Sequence, residues 1–140
     1  MRILLITLIL FGCSSSRDER LLEKSKEVHE AALDVGQQVS KKIEQINDLA
    51  EELEEPLKTA AIDSTEVLLA DWGSWQSSIV EVPGHDHDHD HHGHDHNHDH
   101  GSSPDLTPAM VLEIQQDLQK RALNLDTRAQ KILNTLTETK

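Results

Sequence analysis

The clearest pattern in the first half of the chain is a long amphipathic helix. Apolar residues recur there at alternating steps of four and three, the heptad spacing of a helix that packs along one face. This stripe consists of Leu21, Val28, Ala32, Val35, Val39, Ile46, Leu49 and Leu53, interrupted by Lys42, beside which Ile43 can contribute to the same face. We expect a helix from about Arg17 to Glu54, in which Gly36 costs about 1 kcal/mol relative to alanine.

A second amphipathic stretch follows Pro56, a residue that suits the first turn of a new helix and disfavours continuation of the previous one. Its stripe has the same four-three spacing and consists of Ala61, Thr65, Leu68, Trp72, Trp75 and Ile79. This spacing predicts a helix from Leu57 to Ser78, weakened locally at Gly73.

The third amphipathic stretch has the clearest beginning. Thr107 is a good N-cap, and Pro108 at the first helical position loses no hydrogen bond there. The stripe that follows consists of Val111, Ile114, Leu118, Ala122, Leu125, Ala129, Ile132 and Leu136. The spacing predicts a third helix within 107–138.

Three amphipathic helices cannot bury their stripes individually, so we expect an all-α fold, an antiparallel three-helix bundle or coiled coil. The alternative is a helical hairpin that dimerises. The core must consist mainly of Leu, Ile, Val and Ala, because the chain contains one Phe, no Tyr and two Trp. We expect Trp72 and Trp75 in this core and His29 on the helix surface.

Between the second and third helices lies a tract of different composition. Residues 85–100 read HDHDHDHHGHDHNHDH and contain no apolar residue. Such a segment has no means of offsetting its ordering entropy, so we expect a disordered loop over 81–106. The candidate metal ligands are His85, His87, His89, His91, His92, His94, His96, His98 and His100, with Asp86, Asp88, Asp90, Asp95 and Asp99 as secondary ligands.

Neutral imidazole is the commonest protein ligand for transition metals, and carboxylates can bind the ion or orient an imidazole. The tract therefore predicts labile binding of zinc, with nickel or copper as alternatives that imidazole does not distinguish. Two other interpretations stay open. The tract is a solvated spacer, or it is a pH-responsive loop whose net charge reverses below about pH 6.

The N-terminus predicts export. Arg2 precedes an apolar run from Ile3 to Phe11, too short for a bilayer span of about 20 residues but suited to a signal peptide. The sequence Leu10-Phe11-Gly12-Cys13 resembles the lipobox of bacterial lipoproteins, with Cys13 as the only cysteine. That resemblance implies a diacylglycerol on Cys13 and a membrane anchor. The alternative is an ordinary signal peptide in which Cys13 is incidental.

The remaining chain resembles a group of small helical lipoproteins of Bacteroidota, often labelled automatically as viral A-type inclusion proteins. The resemblance depends on Glu27-Val28-His29-Glu30 in the first helix, Leu69-Ala70-Asp71-Trp72 in the second, a polar linker and a closing helix. It implies an all-helical, membrane-tethered protein and no activity. Ser14 after Cys13 favours the outer membrane, facing either the periplasm or the cell surface, by a sorting rule known from other bacteria.

The expected organisation is a signal peptide (1–12), a lipidated tether (13–16), a helical hairpin (17–80), a disordered loop (81–106) and a third helix (107–138). Acidic residues outnumber basic ones by 26 to 13, which argues against nucleic acid as a partner. No catalytic constellation is present, so we do not expect an enzyme. Two functions remain: a metal-binding envelope lipoprotein, or a coiled-coil lipoprotein that binds another envelope protein and uses the tract as a spacer.

Overall fold

The computed structural model describes residues 14–84 and 106–138, and every regular element within them is an α-helix. Helix α1 spans Ser14–Glu51, α2 spans Leu57–Gln76 and α3 spans Pro108–Glu138. The most extensive interface joins α1 to α3, and the shorter α2 packs against both. The predicted all-helical fold is therefore confirmed for these residues, and the packing is that of a bundle. None of these helices combines the length and apolar character needed to cross a membrane.

The helix boundaries differ slightly from those predicted. Helix α1 begins at Ser14, before the predicted Arg17. It ends at Glu51, before the predicted Glu54, because the backbone tightens after Ala50 into short turns that precede Pro56. Helix α2 begins at Leu57 as predicted and continues through Gly73. At the start of α3, the N–H of Met110 donates to Thr107 Oγ1 at 3.3 Å, which confirms the predicted cap.

The core of α1 follows a stricter heptad than the predicted stripe. Its buried positions are Ser25, His29, Ala32, Gly36, Val39, Ile43, Ile46 and Ala50. Half of these positions were expected, whereas Val28, Val35 and Leu49 lie half-buried at the edge of the interface. Similarly, α3 buries Gln115 and Leu133 where the sequence favoured their neighbours Ile114 and Ile132.

Gly36 allows α2 to approach α1 closely. The ring of Trp75 lies against it, and a Cβ at Gly36 would be 2.6 Å from Trp75 Cη2 and 2.8 Å from Cζ3. Trp75 is buried, as expected, and stacks on the half-buried Trp72 with ring centroids 5.0 Å apart. The Trp75 indole N–H donates to the carbonyl of Leu118 at 2.9 Å and so joins α2 to α3.

Polar contacts fix the register of α1 against α3. His29 contacts Gln115, and further along both helices the Lys42 ammonium lies 2.6 Å from the Asp126 carboxylate. Contacts between α1 and α3 thus advance in the same direction along the two helices. The side chains of Lys42 and Asp126 are largely shielded from solvent, since 19% and 24% of them is exposed.

Candidate metal centre

The predicted metal ligands, which run from His85 to His100 with the intervening aspartates, lie outside the described residues, as does Cys13. The candidate site within the described residues consists of residues 80–84, which precede the tract, and of the bundle surface against which they pack.

His29 is the histidine that the structure describes, and the expectation that it lies on the helix surface is wrong. Its side chain is fully buried in the interface of α1 with α3. Nδ1 of His29 is 2.9 Å from Oε1 of Gln115, which is also fully buried. The sequence contains one signal for this burial, because residues 25, 29, 32 and 36 keep the four-three spacing although Ser25 and His29 are polar.

The orientation of the Gln115 amide determines which nitrogen of His29 carries a proton. Nε2 of Gln115 donates to the carbonyl of Val80 at 2.7 Å. Since a carbonyl oxygen can only accept, the amide oxygen must face His29, where it accepts from Nδ1–H. The neutral His29 ring therefore has its lone pair on Nε2.

A carboxylate faces that second nitrogen. Oε2 of Glu81 is 3.7 Å from His29 Nε2, and 57% of the Glu81 side chain is exposed. The arrangement brings one imidazole and one carboxylate together immediately before the tract in sequence.

The residues around Glu81 hold it against the bundle. Val80 is bound through its carbonyl to Gln115, and Val82 is 1% exposed. The predicted loop begins at residue 81, whereas the burial of Val82 shows that the chain remains packed on the helices beyond this point. Gly84 then adopts a φ of +73°, a conformation that residues with a Cβ rarely adopt, so the chain turns there at a position suited to glycine.

Within residues 14–84 and 106–138 no group of three or more His, Cys, Asp or Glu side chains is placed to hold a metal ion. The described residues thus supply a pair of candidate ligands rather than a complete metal site. Comparisons of the chain with protein-family profiles, curated protein sequences and solved structures returned no match.

Proposed function

We propose that this protein is a membrane-anchored envelope lipoprotein whose tract at 85–100 binds divalent transition-metal ions, zinc above all, and buffers or delivers them. The observation that carries the proposal is the composition of the tract, in which nine imidazoles are interspersed with five carboxylates. Such donors bind zinc, nickel and copper, and a chain that can fold several of them around one ion makes an exchangeable site. The anchor in this proposal is a diacylglycerol on Cys13, preferably in the outer membrane.

The packing of the helices supports a location of the tract near the anchor. We infer an up-down-up bundle in which α2 is antiparallel to its two neighbours. Its final residues, followed by Val80 and Glu81, then reach the level of His29 on α1. At a rise of about 1.5 Å per residue, His29 lies roughly 20 Å from the start of α1 at Ser14. A lipid on Cys13 would therefore hold the first tract residues within tens of Å of the head groups.

The test compares the wild-type chain with two variants. One variant lacks residues 85–100. The other, the asparagine-tract variant, carries asparagine at all nine tract histidines and so keeps the length and the aspartates. We expect both variants to lose tight zinc binding in calorimetric titrations, because imidazole rather than loop length supplies the ligands. Zinc binding by the wild type should weaken below about pH 6, where protons compete for the same nitrogens.

The physiological part of the proposal requires a separate measurement. Cells that carry either variant should grow less well than wild type under zinc limitation or zinc excess. Unchanged growth in both conditions would overturn the buffering role even if binding by the purified protein were lost.

The surface of α2 favours a second candidate function, binding of another envelope protein. Leu57, Ile62, Val67 and Leu69 are 42–59% exposed on this helix. Leu57 and Val67 line a groove of about 490 Å³ between α2 and α3. Exposed apolar surface of this kind often marks an interaction site.

The two candidates make opposite predictions. If the protein acts through α2, Val67→Asp should abolish cross-linking to its partner in membranes, whereas deletion of 85–100 should have no effect. If the protein acts through the tract, deletion of 85–100 should change growth under zinc limitation or excess, and Val67→Asp should not. A chelator should change the cross-linking pattern only if the protein acts through the tract.

A further inference from the structure

We propose that the groove between α2 and α3 is the interface between two copies of this chain that lie side by side and point in the same direction. A two-fold axis parallel to the helices relates the copies, so that α2 of each packs on α3 of the other. The inference names the partner for the α2 surface of the second candidate function. It rests on the proposed function in one argument, which is the lipid anchor.

The first argument is the apolar surface that the bundle leaves uncovered on α2. One stripe of this helix is buried against α1 and α3 and consists of Ala61, Thr65, Leu68 and Trp75. A second stripe, with steps of three and four, lines the groove and consists of Leu57, Ala60, Ser64 and Val67. Leu57 and Val67 are 46% and 59% exposed. A helix with two such stripes buries both only when a further helix covers the second.

The second argument is the charge on the two edges of the groove. The α3 edge is basic, since Arg128 and Lys131 line it. The α2 edge is acidic, since Asp63 is exposed one helical turn from Val67 and therefore lies on the same side of that helix. Arg128 binds Asp71 of its own chain at 2.6 Å. The opposite signs of the two edges predict that the α2 edge of one copy meets the α3 edge of the other.

The relative direction of the copies follows from this charge pattern. When the two-fold axis is parallel to the helices, each residue faces the other copy at its own level along the bundle. Val67 and Lys131 line the same groove, so Asp63 of one copy lies about one turn, roughly 5 Å, from the level of Lys131 in the other. A lysine side chain spans this distance. In an antiparallel dimer α3 would face its own copy, and the basic edges would repel one another.

The third argument is the position of the anchors. Helix α1 begins directly after Cys13 and, with 38 residues at about 1.5 Å per residue, is roughly 57 Å long. Two lipid anchors in one membrane lie at the same end of a dimer only if both copies of α1 point in the same direction. The anchors and the charges thus select the same arrangement, although neither argument depends on the other.

Association is tested by the mass of the full chain in a mild detergent, measured by light scattering that separates protein mass from detergent mass. We expect the wild type to have the mass of two chains. Val67→Asp should raise the dissociation constant of the dimer by at least about ten-fold, because it places a charge in an apolar contact. Leu69→Asp is the matched control and should leave the mass unchanged, since Leu69 is 42% exposed but does not line the groove. Circular dichroism should show the wild-type helix content in both variants.

The direction of the copies is tested by an exchange of charges. Asp63→Lys and Lys131→Glu should each weaken the dimer, because like charges then meet across the interface. When the two single variants are mixed, both contacts across the interface pair opposite charges again. We therefore expect heterodimers, detected by different affinity tags, at least about ten-fold in excess of either homodimer. Mixing would not restore an ion pair within one chain.

Three results would overturn the proposal. One is a wild-type mass of a single chain, with the groove occupied by a different protein or by a copurified lipid instead. Another is an equal loss of dimer in Val67→Asp and Leu69→Asp. The third is a mixture of Asp63→Lys and Lys131→Glu in which heterodimers are no more frequent than homodimers.

These outcomes are separable from the proposed function. The dimer is measured without added metal and should persist when residues 85–100 are deleted, so a failure of zinc binding leaves it standing. Mass spectrometry of the N-terminal peptide tests the lipid on Cys13. If Cys13 carries no lipid, the anchor argument falls, and the exchange of charges still decides the direction of the copies.

Discussion

Gly36→Ala should destabilise the protein, although alanine is the better helix former. In an exposed helical position this substitution gains about 1 kcal/mol. At Gly36, however, the new Cβ would lie 2.6 and 2.8 Å from two carbons of the Trp75 ring. Contacts this short require a shift of roughly 0.5–1 Å, and overpacking of a well-packed core costs about 1–3 kcal/mol.

The Trp75 ring has little freedom to make that shift. Its indole N–H is bound to the Leu118 carbonyl, and one face of the ring stacks on Trp72. We therefore expect the packing cost to exceed the helix-propensity gain, which leaves Gly36→Ala less stable than wild type by up to about 2 kcal/mol.

Gly73→Ala is the matched control. Gly73 also lies inside a helix, and a Cβ there would meet nothing within 4 Å. This variant should gain about 0.5–1 kcal/mol. Because the propensity term is common to both, the difference between the two variants measures the packing cost, which we expect to be about 1–3 kcal/mol.

Urea unfolding followed by helical circular dichroism gives both free energies of unfolding. Trp75→Phe removes the ring atoms that meet the new Cβ, so Gly36→Ala should become neutral or stabilising in that background. The reasoning is refuted if Gly36→Ala is as stable as Gly73→Ala, or if its effect is the same with and without Trp75.

Three further predictions concern the polar contacts between helices. Lys42→Ala leaves the shielded Asp126 carboxylate without its ammonium partner. We expect the free energy of unfolding to fall by about 1–2 kcal/mol, between the values for exposed and buried ion pairs. A double-mutant cycle with Asp126→Ala should return a favourable coupling energy. Thr107→Ala removes the cap of α3 and should cost about 1 kcal/mol in urea unfolding, whereas Thr107→Ser should cost little. Gln115→Leu removes one buried and one partly buried hydrogen bond and should cost about 2–4 kcal/mol in urea unfolding. Amide exchange at Val82 should become faster, and protection equal to wild type at Val82 would contradict the role of Gln115 in holding that segment.

The sequence was sufficient to predict the three helices because spacing is a property of the backbone period. Alternating steps of four and three indicated each helix, and Thr107 and Pro56 located two of the starts. The ends were less accurate, since α1 stops before the predicted Glu54. Helix termination depends on where the chain must turn, which a pattern of apolar residues does not specify.

The apolar spacing does not predict four buried positions of α1, which are Ser25, His29, Gly36 and Ala50. For two of them the reason is chemical. A pattern of hydrophobic residues favours Val28 and Val35 over their neighbours His29 and Gly36. Yet those neighbours are the buried ones, because a partner amide satisfies the histidine and a tryptophan ring covers the glycine. Both compensations come from other helices, so the sequence of α1 alone shows only the four-three spacing of residues 25, 29, 32 and 36 and not what covers them.

Glu81 was missed for a related reason. It appears in sequence as the first residue of a polar linker, and nothing local separates it from the residues that follow. Its position beside His29 depends on the buried side chain of Val82 and on the backbone bond from Val80 to Gln115. The predictions for the tract and for Cys13 concern residues outside those described and stay predictions.

The buried His29–Gln115 contact also explains how one register is selected among several. The α1–α3 interface is a heptad seam, so a slip of one heptad would still place apolar residues opposite one another. Such a slip would, however, bring His29 against Pro108 or Ala122, seven residues to either side of Gln115, and leave a buried polar group unsatisfied at about 1–3 kcal/mol.

Gln115 would incur a similar cost in the slipped register, and the ion pair of Lys42 with Asp126 would be broken at the same time. These losses disfavour the slipped register. In the observed register, Gln115 binds the Val80 carbonyl, and Glu81 therefore lies beside His29. The buried contact of His29 with Gln115 thus helps to determine where the chain leaves the bundle before the histidine tract.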